Sequence, residues 1–306
     1  MFIFVVPAVN GAVINNNSQN IVLNGHNFQI LISKDIPKIT VIKSSSNYSV
    51  SYSDILLALG GGVFTTYPLK GNWSTTLING TNQLYGKYVE ILMNKLVKIS
   101  DTGSLNVTFQ FLIANKTYSK IILTPAGPYN MLINSSRLNI NILINETGQI
   151  PGNYIILKQQ YFGFEKKLKY AYMLNGNQMW SNITGLISLA RLSGSENYMS
   201  VGLFQKNSLI NTYGWSNYLS AKNVQNFSTY YNFNNNILNI YFFYPNAPNI
   251  AHDPEINLPG SIFSIIHGAL NQARLFLLDN IYSLITGVLI AFVIIAVGFM
   301  SIRKKD

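Results

Sequence analysis

Between about residues 20 and 250, short runs of β-branched and aromatic residues alternate with polar residues, and clusters of Asn, Gly, Ser and Pro separate the runs. Alternation with a period of two predicts strands that each bury one face. The clearest predicted strands are 105–113, 118–123, 138–145, 154–157, 198–204 and 237–244, and the first two are predicted to form a hairpin through Ala-Asn-Lys-Thr. Because helical patterns are almost absent between the runs, we predict an all-β fold of antiparallel β-sandwich or jelly-roll ectodomains.

The exceptions to this alternation suggest the internal divisions of the chain. Asp54–Gly60 predicts a short helical turn that ends at the flexible turn Gly60–Gly62. Turn residues gather at 148–152, which suggests two sandwich domains, 13–148 and 152–250, or one continuous domain across both.

The apolar residues 1–12 allow three interpretations: the remnant of a signal peptide, an ordinary first strand at 2–6, or a chain whose translation begins upstream.

The pattern changes to helical after Pro259. Residues 281–302 are 22 uncharged residues, which as a helix span about 33 Å, enough for a hydrocarbon core of roughly 30 Å. The basic residues Arg303, Lys304 and Lys305 follow at once, and such residues stay on the cytoplasmic side. We therefore predict a transmembrane helix at 281–302, an interior tail at 303–306, and a preceding chain that lies outside.

Small residues recur along one seam of this predicted helix and of the predicted linker and juxtamembrane helix at 251–280. Gly287, Ala291 and Gly298 lie on the seam, and small residues let two helix backbones approach closely. The seam favours self-association, although Gly and Ala are also common in membrane helices in general.

The charges change the picture of the surface. The chain has 21 basic and 11 acidic residues, a net charge of +10, and only 10% charged residues against roughly 25% in ordinary soluble domains. The basic residues are scattered singly apart from Lys166-Lys167 and the C-terminal run, so a specific nucleic-acid partner is not expected. A surface built from amides and hydroxyls suits an acidic medium, in which carboxylates would lose their charge.

Cysteine is absent, which excludes disulfides, zinc–thiolate sites, iron–sulfur clusters and a cysteine nucleophile. Ten N-glycosylation triplets precede the predicted membrane helix, on the side assigned to the exterior. Their acceptors are Asn16, Asn47, Asn72, Asn79, Asn106, Asn115, Asn134, Asn145, Asn182 and Asn226. We expect exposed positions for them, and N-glycans as partners of the chain.

One short motif suggests catalysis. Asp101-Thr-Gly-Ser104 matches the active-site triplet of pepsin-like aspartic proteases. That chemistry needs two carboxylates that share one proton, and the chain has no second Asp-Thr-Gly or Asp-Ser-Gly. Between two predicted strands, the same motif is also an ordinary hairpin turn, which is the interpretation we favour.

The histidines and aromatic residues give no strong sign of a site. His26, His252 and His267 are far apart in the sequence, and His252-Asp-Pro-Glu255 is expected to be a solvated linker rather than a metal site, so we predict no metal and no cofactor. A second group of aromatic residues could stack on sugars, but we favour a role in the sandwich core. These residues are Tyr161, Phe162, Phe164, Trp180, Trp215, Tyr230 and Tyr231.

A cysteine-free exterior, rich in Asn and Tyr and dense in glycosylation triplets, precedes a terminal apolar segment and a basic tail. In this layout the chain resembles membrane-anchored surface glycoproteins of thermoacidophilic archaea, such as S-layer anchor subunits, and structural proteins of their viruses. The resemblance implies a non-enzymatic, membrane-anchored extracellular glycoprotein that forms or tethers a surface lattice or shell. Its partners would be the lipid bilayer and either itself or another surface or shell protein.

Three alternatives remain open. The first is a structural protein of an archaeal virion, because only about 20 residues of the predicted helix lie outside the membrane, and so short a stalk suits a protein held close to its membrane. The others are an extracellular acid protease that uses Asp101 and a carbohydrate-binding adhesin that uses Trp180 or Trp215.

Overall fold

In the computed structural model of the chain, the described residues form 25 strands. The residues described are 6–9, 12–24, 28–43, 46–114, 116–124, 127–133, 136–162, 167–174, 177–182, 190–191, 198–205, 208–216, 218–220, 224–234 and 237–258. The strands are β1 (Val6–Val9), β2 (Ala12–Asn16), β3 (Asn20–Asn24), β4 (Gln29–Ser33), β5 (Lys38–Lys43), β6 (Ser46–Gly60), β7 (Val63–Pro68), β8 (Ser74–Asn82), β9 (Gly86–Lys98), β10 (Gly103–Ala114), β11 (Tyr118–Thr124), β12 (Gly127–Ile133), β13 (Arg137–Gly148), β14 (Tyr154–Phe162), β15 (Lys167–Leu174), β16 (Asn177–Asn182), β17 (Ala190–Arg191), β18 (Tyr198–Gln205), β19 (Ser208–Ser216), β20 (Tyr218–Ser220), β21 (Val224–Asn226), β22 (Ser228–Asn234), β23 (Ile237–Pro245), β24 (Asn249–His252) and β25 (Glu255–Asn257).

The strands form two large antiparallel sheets. The first sheet has the order β1-β2-β3-β4-β5-β6-β14-β23-β22-β17, with β7 paired to β6. The second has the order β16-β15-β18-β19-β25-β13-β10-β9-β8, and β24 also pairs with β13. The hairpin β11–β12 forms a separate two-stranded sheet. The described part of the chain is therefore all-β, as the alternation predicts.

Among the described residues, the main hydrophobic core lies between the two large sheets, and Leu112 and Ala114 form a second, small cluster. β23 shows how the alternation builds the main core, because every second residue is buried and its neighbours are not. Rings meet across the core: Tyr52 of the first sheet lies 4.6 Å from Phe109 of the second, and Phe242 lies 5.5 Å from Trp215, measured between ring centroids. The arrangement is that of a β-sandwich.

The sequence pattern predicts the positions of the strands better than it predicts which strands pair. Predicted strands 138–145, 154–157, 198–204 and 237–244 lie within β13, β14, β18 and β23. The predicted hairpin between 105–113 and 118–123 is wrong, because β10 pairs with β9 and β13 whereas β11 pairs with β12. Alternation identifies a strand but contains no information about its neighbour.

The predicted helical turn at 54–60 is also wrong, because these residues complete the long strand β6. Ile55 and Leu57 are buried in the core, and β6 has β14 on one side and β7 on the other. The apolar run 55–59 lacks alternation since Leu56 and Ala58 are also half-buried on the outer face. The turn at Gly60–Gly62 is present, and all three glycines have positive φ angles of 98°, 59° and 78°.

The turn at 149–153 connects β13 of the second sheet to β14 of the first. Strands from before and after this turn occur in both sheets, and Met1–Gly260 forms one compact unit. At the beginning of the chain, β1 pairs with β2, whereas residues 2–5 of the predicted first strand at 2–6 lie outside the described residues.

The last two strands of the sandwich contradict the first part of the predicted linker at 251–280. Residues 249–257 form β24 and β25 in the second sheet, so 251–257 is not a linker, and the remainder of the predicted linker from 259 lies outside the described residues. Among the residues that the structure describes, no helix is long and apolar enough to cross a membrane.

Candidate interaction surface

The acceptors of the predicted glycosylation sites lie on the surface of the sandwich where their side chains are described. Asn145 is half-buried and five acceptors are exposed: Asn16, Asn47, Asn72, Asn79 and Asn106. They lie on strands of both sheets and on the 69–73 loop. The side chains of Asn115, Asn134, Asn182 and Asn226 lie outside the description.

Two of these acceptors are direct neighbours. Asn106 of β10 and Asn145 of β13 are cross-strand partners, and Leu96 and Asn249 continue the same row on the outer face. Opposed residues in an antiparallel pair have Cβ atoms roughly 5 Å apart. Glycans on Asn106 and Asn145 would therefore occupy the same part of the surface.

On the same outer face, uncharged polar groups form hydrogen bonds with each other and with one carboxylate. The Gln110 amide donates to Glu90 Oε1 at 2.5 Å, and its oxygen accepts from Asn141 Nδ2 at 2.7 Å. In the row beside it, Thr108 Oγ1 donates to Asn94 Oδ1 at 2.6 Å. Amides and hydroxyls satisfy each other across β9, β10 and β13, so this face needs few ions for its hydrogen bonds.

Asp101-Thr-Gly lies at the hairpin turn between β9 and β10. The Asp101 side chain is 97% exposed, and its Oδ1 accepts from Lys98 Nζ at 2.8 Å. An exposed carboxylate with a cationic neighbour has a different environment from two carboxylates that share a proton in a cleft. The hairpin interpretation of this motif is therefore confirmed.

His252 contradicts the prediction of a solvated linker. Its ring is buried, with Phe227 and Phe242 at centroid distances of 4.8 and 5.1 Å. Nε2 lies 3.1 Å from the Ser216 carbonyl oxygen, which can only accept, so Nε2 carries the proton. Nδ1 then accepts from the Tyr244 hydroxyl at 2.7 Å.

The environment of His252 also fixes its charge. Burial lowers the pKa of His252 to about 3, against a smaller opposing effect of the Ser216 carbonyl. The ring is neutral near pH 7, and both of its nitrogens are engaged inside the core. His252 is thus a structural residue here rather than a free metal ligand.

Glu255 is buried three residues further along. Arg137 Nη1 donates to Glu255 Oε1 at 2.7 Å and to Oε2 at 3.0 Å, which connects β25 to β13. Among the described residues, no group of three or more His, Cys, Asp or Glu side chains could hold a metal ion, and His26 and His267 lie outside them.

The predicted aromatic group divides between core and surface. Tyr161, Trp215 and Tyr231 are buried, so Trp215 does not present a ring to a sugar. Phe162 and Tyr230 are partly buried, whereas the side chains of Phe164 and Trp180 lie outside the description. The core interpretation is confirmed for the three buried rings.

The structure contains an apolar surface that the sequence analysis did not identify. At the end of the hairpin β6–β7, Leu59, Val63 and Phe64 are exposed together with Tyr154 at the start of β14, with exposed fractions of 45–58%. We call these four residues the apolar tip. Apolar residues on both sides of three consecutive glycines could have indicated it.

The residues predicted for helix association and topology lie outside the described part of the chain. They are Gly287, Ala291, Gly298, Arg303, Lys304 and Lys305. No known protein family matches the chain, and a search of curated proteins finds no similar sequence.

Proposed function

We propose that the chain is a non-enzymatic, membrane-anchored extracellular glycoprotein whose sandwich forms or tethers a surface lattice or shell. The jelly-roll variant of the sandwich, the transmembrane helix at 281–302 and the interior tail at 303–306 belong to this proposal. The observation that carries it is the position of the described glycosylation acceptors, which lie outside the core and on both sheets. Bulky glycans on both outer faces would solubilise a surface that has few ions.

The spacing along the chain supports attachment close to a membrane. The last strand, β25, ends at Asn257, and the uncharged segment begins at residue 281. If the 23 residues between them are helical, as the sequence predicts, they span at most about 35 Å. A sandwich on so short a connection stays near its membrane, as a protein of a continuous shell does.

The glycan part of the proposal is tested by the intact mass of the protein from its native source. Asn106→Gln and Asn16→Gln should each lower the mass by one glycan. Asn249→Gln is the matched control, because Asn249 is exposed beside Asn145 but belongs to no triplet. An intact mass equal to that of the bare polypeptide would contradict the proposal.

The anchor part is tested by membrane fractionation. The full chain should remain in the membrane pellet after an alkaline wash, and a chain that ends at residue 280 should be released. A full chain that is washed off under the same conditions would contradict the predicted transmembrane helix.

The archaeal-virus alternative is supported by the same short connection and differs only in where the shell occurs. Electron microscopy and protein identification separate the two. An ordered array on cells supports a cellular surface layer, whereas recovery of the protein in purified particles supports a virion shell.

A further inference from the structure

The sandwich has two ends, which we define by β13. Arg137 at the start of β13 pairs with Asn257 of β25, and Leu258 N donates to the Ser136 carbonyl, so the described chain leaves at this end, the exit pole. Gly148 at the other end of β13 leads through the 149–153 turn to Tyr154. We call that end the distal pole.

The apolar tip lies at the distal pole. Ala58 pairs with Phe64 of β7 and with Tyr154, the first residue of β14. Residues 59–63 of the hairpin β6–β7 therefore extend beyond the start of β14. At a rise of roughly 3.3 Å per residue, β13 alone separates the two poles by about 36 Å. The tip is therefore remote from the point at which the chain continues toward 281–302.

The chemistry of the tip differs from that of the rest of the surface. No charged residue occurs between Asp54 and Lys70. The three glycines of the turn have positive φ angles and open space where a Cβ would lie, so none of the described residues packs over the turn. The four side chains are outside the core, so the fold does not require them to be apolar.

The exposed apolar area of the tip distinguishes a lipid bilayer from a protein as its binding partner. Four apolar side chains that are each about half exposed offer on the order of 300 Å². A stable protein interface buries roughly 800 Å² on each partner and is flat or complementary. A small, protruding, uncharged hairpin end with the exposed ring of Phe64, and with the ring of Tyr154 beside it on β14, instead suits the interface of a bilayer, where aromatic side chains are enriched.

We propose that the apolar tip inserts into the interfacial layer of a lipid bilayer, at the pole opposite the chain exit. Gly61 and Gly62 lie in the turn between β6 and β7 and belong to neither strand, so their peptide groups would lack strand partners in hydrocarbon and the tip reaches only headgroup depth. The inference uses residues of the sandwich alone and does not depend on the predicted anchor.

The test uses the full chain held in nanodiscs, so that the C-terminal segment is already occupied, and a separate population of phosphatidylcholine vesicles. Vesicles without net charge avoid unspecific attraction of a protein with a net charge of +10. We expect the wild type to float with the vesicles and the variant Val63→Asp/Phe64→Asp to lose at least tenfold in bound fraction.

Leu84→Asp is the matched control, because Leu84 is 44% exposed in the β8–β9 turn at the exit pole. It should bind vesicles as the wild type does. Equal melting temperatures of all three proteins exclude unfolding as the cause. A wild type that does not float, or a tip variant that floats unchanged, overturns the proposal.

Two further measurements distinguish the bilayer from a second copy of the chain. Phe64→Trp should shift its emission to the blue on addition of vesicles and be quenched by brominated lipid. If the tip variant instead loses an oligomer in light scattering while vesicle flotation stays unchanged, the tip is a protein contact and the membrane proposal is wrong.

Discussion

The β9–β10 turn and the β24–β25 segment are both short, polar and acidic, and their environments are opposite. Asp101 extends into solvent with Lys98 as its neighbour. His252 and Glu255 lie in the interior, where Tyr244 and Ser216 hold the imidazole and Arg137 holds the carboxylate. The turn connects two adjacent strands at one pole, whereas β24 and β25 run along β13 and are covered by the first sheet.

This difference shows that strand pairing, rather than local composition, decides whether a polar segment is buried. A buried polar side chain needs hydrogen-bond or ionic partners, and His252 and Glu255 meet that requirement in different ways. His252 is kept neutral by burial, and Glu255 is kept beside a cation. The exposed pair at Asp101 has no such requirement, because water satisfies both groups.

The largest expected effect comes from Glu255→Ala. Removal of one partner of a buried ion pair costs roughly 3–5 kcal/mol, and the lower end applies here because the Arg137 side chain is 26% exposed. Thermal unfolding of the full-length protein in detergent, followed by tryptophan fluorescence, measures the loss.

Asp101→Ala is the control for this variant and should change the stability by less than about 0.5 kcal/mol. The double variant Arg137→Met/Glu255→Leu should recover most of the stability, since it leaves no buried charge behind. Equal losses in Glu255→Ala and Asp101→Ala would remove the distinction between the two segments.

The second effect is a pH dependence caused by His252. Its pKa is about 6.5 in the unfolded chain and about 3 in the folded one, so below pH 6.5 the unfolded state binds a proton that the folded state does not. The contribution of the neutral ring is complete above pH 6.5 and is lost as the pH falls toward 3, by about 3 kcal/mol at pH 4.

His252→Gln removes this titration while its amide can still donate to Ser216 and accept from Tyr244. The difference in stability between wild type and variant should shrink, or change sign, from pH 7 to pH 4, while the acidic groups common to both proteins cancel. If the stabilities of wild type and His252→Gln change in parallel with pH, the pKa of His252 does not differ between the folded and unfolded states.

The strands of the sandwich show which features of the fold can be predicted from the sequence. Strands such as 138–145 and 237–244 alternate because one face is buried, and they are found as predicted. The alternation of Ile250 and His252 on one side of β24 is a signal of the same kind, but the four residues between Pro248 and Asp253 are too few for it to outweigh the polar composition.

Features that depend on distant residues were not predictable in this way. β10 pairs with the distant β13 as well as with β9, and Glu255 pairs with Arg137. The sequence around β10 and around Glu255 gives no sign of these distant partners. For the candidate surface, the triplets located the glycosylation acceptors. Apolar residues on both sides of Gly60–Gly62 mark the place of the apolar tip in the sequence, but its exposure also depends on where β14 begins beside β6.

The third prediction tests whether burial keeps His252 neutral without the hydrogen bond from Tyr244. Tyr244→Phe removes the hydroxyl that donates to Nδ1 and leaves a buried acceptor unsatisfied, at a cost of about 1–2 kcal/mol at pH 7. Burial remains, and burial is the main cause of the low pKa of His252. The variant should therefore be less stable but keep its loss of stability between pH 6.5 and 4; a flat profile would mean that the hydroxyl, not burial, controls the charge.

The smallest effect is expected for Asp101→Asn in the exposed turn. The Lys98–Asp101 pair is exposed on both sides, so its loss should leave the melting temperature unchanged within error at moderate salt. The same variant tests the acid-protease alternative, because a catalytic Asp101 would make proteolysis of a denatured substrate at low pH depend on its carboxylate. We expect wild type and variant to be equally inert; activity in the wild type that disappears in Asp101→Asn would give this turn a catalytic function.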